Sequence, residues 1–161
     1  MDSQSLSDVK VLEIGEFIAA PYCGKLLADL GANIVKVECP VGGDRARGRG
    51  PFPPKTTSED SSGLFLYLNS NKQGITLDIL NPGGMKILAE LLPHFDVLLI
   101  SDYAGEARRH GWLDINRFRT ENPNLIVTCI TPYGLTGPRS AWKGHSINTT
   151  SAAGISYRIG K

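Results

Sequence analysis

His145, in "AWKGHSIN" (141–148), is the first residue to weigh for chemistry. An imidazole changes charge near neutral pH, so it can serve as a general base, although most chemistries need an acid partner across the substrate. In the sequence it looks buried, and a lone histidine of that kind is also a common structural residue. A second group is "GGDRARGRGP" (42–51), where Arg45, Arg47 and Arg49 alternate among Gly42, Gly43, Gly48 and Gly50. Glycines let backbone N–H groups face an anion, and guanidiniums grip phosphate oxygens. The plain alternative is a solvated basic loop. Lys72 in "NSNKQ" (69–73) sits in a turn, as a phosphate contact or an ordinary surface lysine. Arg108 and Arg109 in "GEARRHG" (105–111) read by themselves as a solvated helix face.

What the chain lacks narrows the chemistry. The first strand-to-helix turn reads "GEFIAAPYCG" (15–24), without the GxGxxG that lets a backbone approach a dinucleotide pyrophosphate. No P-loop, HExxH or GxSxG occurs. Cys23, Cys39 and Cys129 lie far apart with no CxxC, which predicts reduced thiols and no metal site. Seventeen basic and 16 acidic residues give a net charge of +1, so no global field draws the chain to nucleic acid or a membrane surface. No apolar run reaches the ~20 residues of a membrane span, and "MDSQSLSDVK" has no signal core. These features predict a soluble, cytoplasmic protein.

The elements that must position these residues alternate. "VKVLEIG" (9–15) reads as a strand, "APYCGKLLADLGA" (20–32) as a helix with Leu26, Leu27 and Leu30 at helical spacing, and "NIVKVE" (33–38) as a strand. Pro21 suits the first helical turn and Gly31 the position after the last. Residues 39–63 have no periodicity and read as a long functional loop. "LFLYLN" and "GITLDI" (74–79) look strand-like. Asn81 and Pro82 open a helix with Ile87, Leu88, Leu91 and Leu92 as its apolar stripe. "DVLLIS" (96–101) and "LIVTCIT" (125–131) read as buried parallel strands, with a short helix over "GEARRHG" and another opened by Asp114 between them. "HSINTTSAAG" reads as helical through Ala153. The alternation predicts an α/β fold, a doubly wound, Rossmann-like parallel sheet with helices on both faces. Residues 1–8 read as a polar tail and 9–161 as one folded segment.

The run "VLEIGEFIAAPYCGKLLADLGANIVKVECPVGGDRARGRGPF" resembles the N-terminal segment of the family III CoA-transferases, which include carnitine CoA-transferase, formyl-CoA transferase and alpha-methylacyl-CoA racemase. The resemblance continues through "LYLNSNKQGITLDI", "HFDVLLI", "ENPNLIVTCITPYGLTGP" and "GHSIN". It implies the N-terminal, CoA-binding part of a larger Rossmann-like domain, a smaller domain elsewhere in the polypeptide, and a homodimer of full-length chains. It implies acyl-CoA and small carboxylate substrates, with coenzyme A carried through an aspartyl-CoA thioester on an Asp beyond residue 161. Racemases of the family use that Asp with a His instead. Residue by residue, Phe17, Ile18 and Ala19 match the first-turn backbone that lies against CoA. Arg47, Lys72 and Arg109 match basic positions of the CoA site, and His145 matches the racemase histidine. This chain departs at Glu16, Cys39, Ser101, Tyr103 and Ser146, where many members carry other residues, which marks a divergent branch. A CoA-binding segment without catalysis is the alternative reading.

Overall fold

Five strands form one parallel sheet: β1 (Lys10–Ile14), β2 (Asn33–Glu38), β3 (Lys72–Thr76), β4 (Val97–Ser101) and β5 (Ile126–Ile130), in the order β3-β2-β1-β4-β5. The computed structural model describes residues 4–55, 58–101 and 114–159. The predicted α/β class, with helices on both faces, is what the chain adopts. β1 is central, and Val11 to Ile14 are all buried. Strand order reverses between β1 and β4, and such a switch point opens a crevice at the carboxyl ends of the strands.

Alternation along the strands divides the core in two. Val11, Ile34 and Leu99 pack with Ala20, Ala28 and Ala32 on the face of helix α1 (Ala19–Asp29). Leu12, Ile14, Val37, Leu98 and Ile100 pack on the other face with Leu88, Leu92, Phe118 and Leu125, from α3 (Pro82–Leu91), α4 (Ile115–Glu121) and their flanking turns.

Of the three leucines at helical spacing along α1, Leu27 packs against the sheet-side core. Ala20, Pro21, Gly24 and Ala28 are buried, while Leu26 and Leu30 stay exposed. Small residues are required there because a charged side chain of β1 lies directly beneath: a Cβ on Gly24 would stand 2.0 Å from Glu13 Oε2. Gly31 closes the helix at φ 104, donating to Ala28 O while Ala32 donates to Leu27 O, a Schellman ending.

"LFLYLN" is not a strand. Residues Gly63–Leu68 form a short helix, α2, and Ser62 Oγ caps it by accepting from the Phe65 N–H at 3.1 Å. Short apolar runs do not separate helix from strand by periodicity; the cap decides it. β3 accordingly starts at Lys72 rather than Gly74, and Asn71 turns the chain at φ 62. Within the expected loop 39–63, two 3-10 turns form at Arg45–Gly48 and Glu59–Ser61.

Asn81 and Asp114 cap α3 and α4 as expected, their Oδ1 atoms accepting from Gly83 N–H and Arg117 N–H. Of the α3 stripe, Leu88 and Leu92 are fully buried and Ile87 is exposed. Residues 5–8 make a turn that docks on the molecule, with Leu6 N–H donating to Leu30 O at 3.1 Å. Near the end of the chain lie α5 (Ser146–Ala152) and α6 (Ile155–Ile159), separated at Gly154, and neither buries a residue. Among the described residues no helix is long and apolar enough to cross a membrane.

Candidate functional site

β1 leaves the sheet at Gly15, and the close packing there shows how tightly the turn is held: a Cβ on Gly15 would meet Ser101 Oγ at 2.3 Å and Ala20 Cβ at 2.8 Å. The chain then passes through Glu16 and Phe17 before α1 begins. Phe17 has φ 69, a left-handed conformation that a bulky residue holds only when its surroundings enforce it. Ile18 follows as N-cap without a side-chain cap, and Ile18 and Ala19 are exposed at the edge of the sheet. Phe17, Ile18 and Ala19 therefore stand at the switch point.

Beneath this turn lies a chain of buried charges that sequence reasoning missed. Lys36 Nζ lies 3.1 Å from Glu13 Oε1 and 2.8 Å from Asp44 Oδ2, and it donates to Gly15 O at 2.7 Å. Asp44 Oδ1 accepts from Phe17 N–H and Ala46 N–H, both at 2.8 Å. Burial by itself raises the Asp44 carboxyl; the charge and hydrogen bond of Lys36, with the two amides, outweigh it and hold the group below its ordinary value. The signal was in the sequence. Glu13 and Lys36 are the charged residues of "VLEI" and "IVKV", two otherwise apolar runs, and they are paired in register across β1 and β2.

Lys72 joins the same chain. Its ammonium donates to Glu13 Oε2 at 2.7 Å, Pro21 O at 2.7 Å and Asn69 Oδ1 at 3.0 Å, and its side chain is 2% exposed. It is thus neither a surface lysine nor a group presented to solvent. Burial lowers its pKa from the usual lysine value against the pull of Glu13. A neighbouring thiol, Cys23, is raised by burial and then by Glu13.

Arg47 lies in the 3-10 turn Arg45–Gly48, which packs against α2. Its guanidinium grips Glu38 with two bonds, Nε to Oε2 at 2.8 Å and Nη2 to Oε1 at 2.9 Å. It also donates to Asp60 Oδ1 at 2.9 Å and stacks 3.7 Å from the Phe65 ring centre. The Glu38 bond raises the Arg47 pKa. Burial pushes Glu38 up, yet Arg47 and the Asp44 amide together carry it below its usual value. Glu38, Gly42, Gly43, Arg47 and Thr76 line an open cleft of about 290 Å³ at the carboxyl ends of β2 and β3. Arg45 pairs with Glu16 at 2.7 Å, which ties this turn to the first.

His145 is exposed rather than buried. It is the N-cap residue of α5, and Asn148 Oδ1 accepts its backbone N–H at 3.1 Å. It is positioned through Gly144, which is wedged against Pro132 and Tyr133 just past β5; a Cβ on Gly144 would meet Pro132 Cβ at 2.4 Å. Tyr133 and Trp142 pack edge to face at 6.1 Å in the same segment. The structure thus brings Phe17, Arg47 and Lys72 into one linked assembly at β1–β3 and holds His145 on the β5 side. Arg109, with the expected "GEARRHG" helix and Tyr103, lies outside the described residues. Among the described residues no group of three His, Cys, Asp or Glu is placed to hold a metal.

The model of CoA-transferase family III matches residues 6–161. The chain belongs to CoA-transferase family III. Among its family III relatives, the succinyl-CoA–D-citramalate CoA-transferase of Chloroflexus aurantiacus is 38% identical over 83% of this chain and 32% of its own length. The succinate–glutarate CoA-transferase of Agrobacterium fabrum is 33% identical over 93% of this chain and 38% of its own length. The succinyl-CoA:glutarate CoA-transferase of Mus musculus is 34% identical over 96% of this chain and 34% of its own length. Two solved structures superpose with a TM-score of 0.81: the D175A mutant of Rv3272 from Mycobacterium tuberculosis, 30% identical, and a CAIB/BAIF family protein from Brucella suis, 31% identical. Each superposition covers 96% of this chain and 40% of the other. The chain spans about a third of the length of these three family III enzymes.

Proposed function

We propose that these residues are the coenzyme A-holding part of an acyl-CoA:carboxylate CoA-transferase. The observation that carries the reading is the glycine-lined cleft with Arg47 at the ends of β2 and β3, joined directly to the open first turn at the switch point. CoA carries a pyrophosphate and a 3′-phosphate on its ribose, and a guanidinium oriented by one carboxylate still presents its remaining N–H groups to a phosphate oxygen. Arg47 would exchange Asp60, whose side chain is exposed, for the phosphate while Glu38 keeps it oriented. The Phe17–Ala19 backbone would lie along the pantetheine, and Lys72 would lend positive charge below the start of α1. Arg109 completes the proposed basic set.

The relatives named above bear names of enzymes that move CoA between succinate and other carboxylic acids, so the proposed substrates are an acyl-CoA and a small carboxylate. The reaction needs a nucleophilic carboxylate. Such a group attacks the thioester carbonyl and expels the CoA thiolate, leaving a mixed anhydride; the thiolate then attacks the aspartyl carbonyl of that anhydride, the donor acid leaves as its carboxylate, and the resulting aspartyl-CoA thioester is open to the acceptor carboxylate. We assign that Asp to a segment of a family-length polypeptide outside residues 1–161, and such a polypeptide to a homodimer. His145 is then a substrate-side residue.

One observation favours a second reading. His145 is exposed at the β5 side of the sheet, which suits a base for α-proton exchange, and the resemblance matches its "GHSIN" to the racemase histidine segment. A family-length polypeptide containing these residues separates the two. Given succinyl-CoA and a second dicarboxylate, it should yield the second acyl-CoA on chromatography, and His145→Ala should keep part of that activity. Racemisation of a 2-methylacyl-CoA without transfer, abolished by His145→Ala, would replace the transferase reading by the racemase one.

A further inference from the structure

Asp44 is almost wholly buried, does not line the cleft, and is not among the residues the CoA reading assigns. Its surroundings give it a different task. One carboxylate oxygen accepts from two backbone amides of different turns, Phe17 N–H and Ala46 N–H, each at 2.8 Å. The other faces the Lys36 ammonium at 2.8 Å, and that ammonium also holds Gly15 O at 2.7 Å. The turn from Gly15 to Phe17 is therefore gripped at both ends by a single ion pair: its carbonyl by the cation, its amide by the anion. Glu16 lies between these grips, and Phe17, whose amide is the second of them, stands at φ 69, a conformation its own side chain disfavours. Asp44 N–H in turn donates to Glu38 Oε2 at 3.0 Å, the oxygen that holds Arg47 Nε.

We propose that Asp44 is a positioning residue that sets the Phe17 backbone and ties the first turn to the Arg47 cleft, so that the two halves of the ligand site are held in one register. The inference rests on the CoA-binding reading above. It predicts that Asp44 governs ligand affinity without touching ligand. Removing the carboxylate frees the Phe17 amide, lets the backbone relax from the left-handed region, and turns the Ile18 and Ala19 amides away from their present direction. Asparagine at this position keeps an acceptor for both amides but loses the attraction of Lys36.

The test compares Asp44→Ala, Asp44→Asn and, as a control for lost stability alone, Leu88→Ala in the core of the opposite face. CoA is titrated by calorimetry where circular dichroism shows each variant folded, and Phe17 amide exchange is measured relative to Leu98 without ligand. The expected result is a Kd at least tenfold higher for Asp44→Ala with faster relative exchange at Phe17. Asp44→Asn should fall between, about threefold weaker, and Leu88→Ala should stay within twofold. A folded Asp44→Ala with unchanged Kd overturns the proposal, as does Leu88→Ala weakening CoA equally. If Asp44→Ala does not fold, Asp44→Asn decides alone, and unchanged Kd and exchange there overturn the proposal. If the unaltered chain binds no CoA, the CoA reading falls by itself. Phe17 exchange in the Asp44 variants then decides whether Asp44 sets the turn, faster exchange supporting it and unchanged exchange overturning it.

Discussion

Lys36 is the cation on which the buried charges converge, with two carboxylates and a carbonyl around one ammonium and a side chain 2% exposed. Such an arrangement is weak as a source of net stability but costly to break, because the partners left behind stay buried and charged. Lys36→Met is expected to destabilise the fold by about 3–5 kcal/mol in urea unfolding; a loss under 1 kcal/mol would show that water reaches the site. The same groups set a pH dependence. Asp44 and Glu38 have folded-state pKa values below their ordinary ones, so their contribution is complete above the unfolded carboxylate range near pH 4 and is lost as pH falls through the lower folded values. Thermal unfolding should therefore show a falling Tm below about pH 4, and Asp44→Asn should shrink that fall. These charges were half legible in the sequence. A glutamate and a lysine in the middle of two apolar strands announce a buried pair once register is known, but register is a property of the sheet. Lys72 stands out in the sequence as a phosphate contact or a surface lysine, but its burial against Glu13 is not legible there, since nothing local links β3 to β1.

At the scale of elements, close approach governs the parts that hold the site. Gly24 lets α1 lie on the Glu13–Lys72 pair, with Lys72 Nζ 3.1 Å from where its Cβ would be. Gly24→Ala is expected to cost about 1–3 kcal/mol by overpacking and to disturb the first turn; unfolding at the unaltered denaturant midpoint would contradict this. On the opposite face Leu88→Ala is expected to cost about 2–5 kcal/mol, read the same way. Most elements could be read before the structure, because their caps are local: Gly31, Asn81 and Asp114 all act where the sequence placed them. α2 could not be read from its apolar run "LFLYL", which fits either period. Its signal lay one residue upstream in Ser62, whose hydroxyl also donates to Ala46 O and Arg49 O and so anchors α2 to the arginine turn. Helical spacing does not say which face of α1 meets the sheet; the charges beneath the helix call for its small residues, and Leu26 and Leu30 face outward.

At the scale of the molecule, a parallel sheet with a reversal between β1 and β4 gathers the first turn, the arginine cleft and the His145 segment on its carboxyl edge. Topology does this from residues spread over most of the chain, which is why motif spacing alone showed the parts and not the site. On the proposed function this edge takes coenzyme A through its phosphates. The most direct test is calorimetric titration of the 161-residue chain with CoA and with dephospho-CoA. Saturable binding of CoA is expected, weakened about tenfold or more when the 3′-phosphate is absent, since a charge-assisted contact is worth roughly 1.5–3 kcal/mol, and weakened similarly by Arg47→Ala. Heats of dilution alone with both ligands, from a chain that unfolds cooperatively, would contradict it.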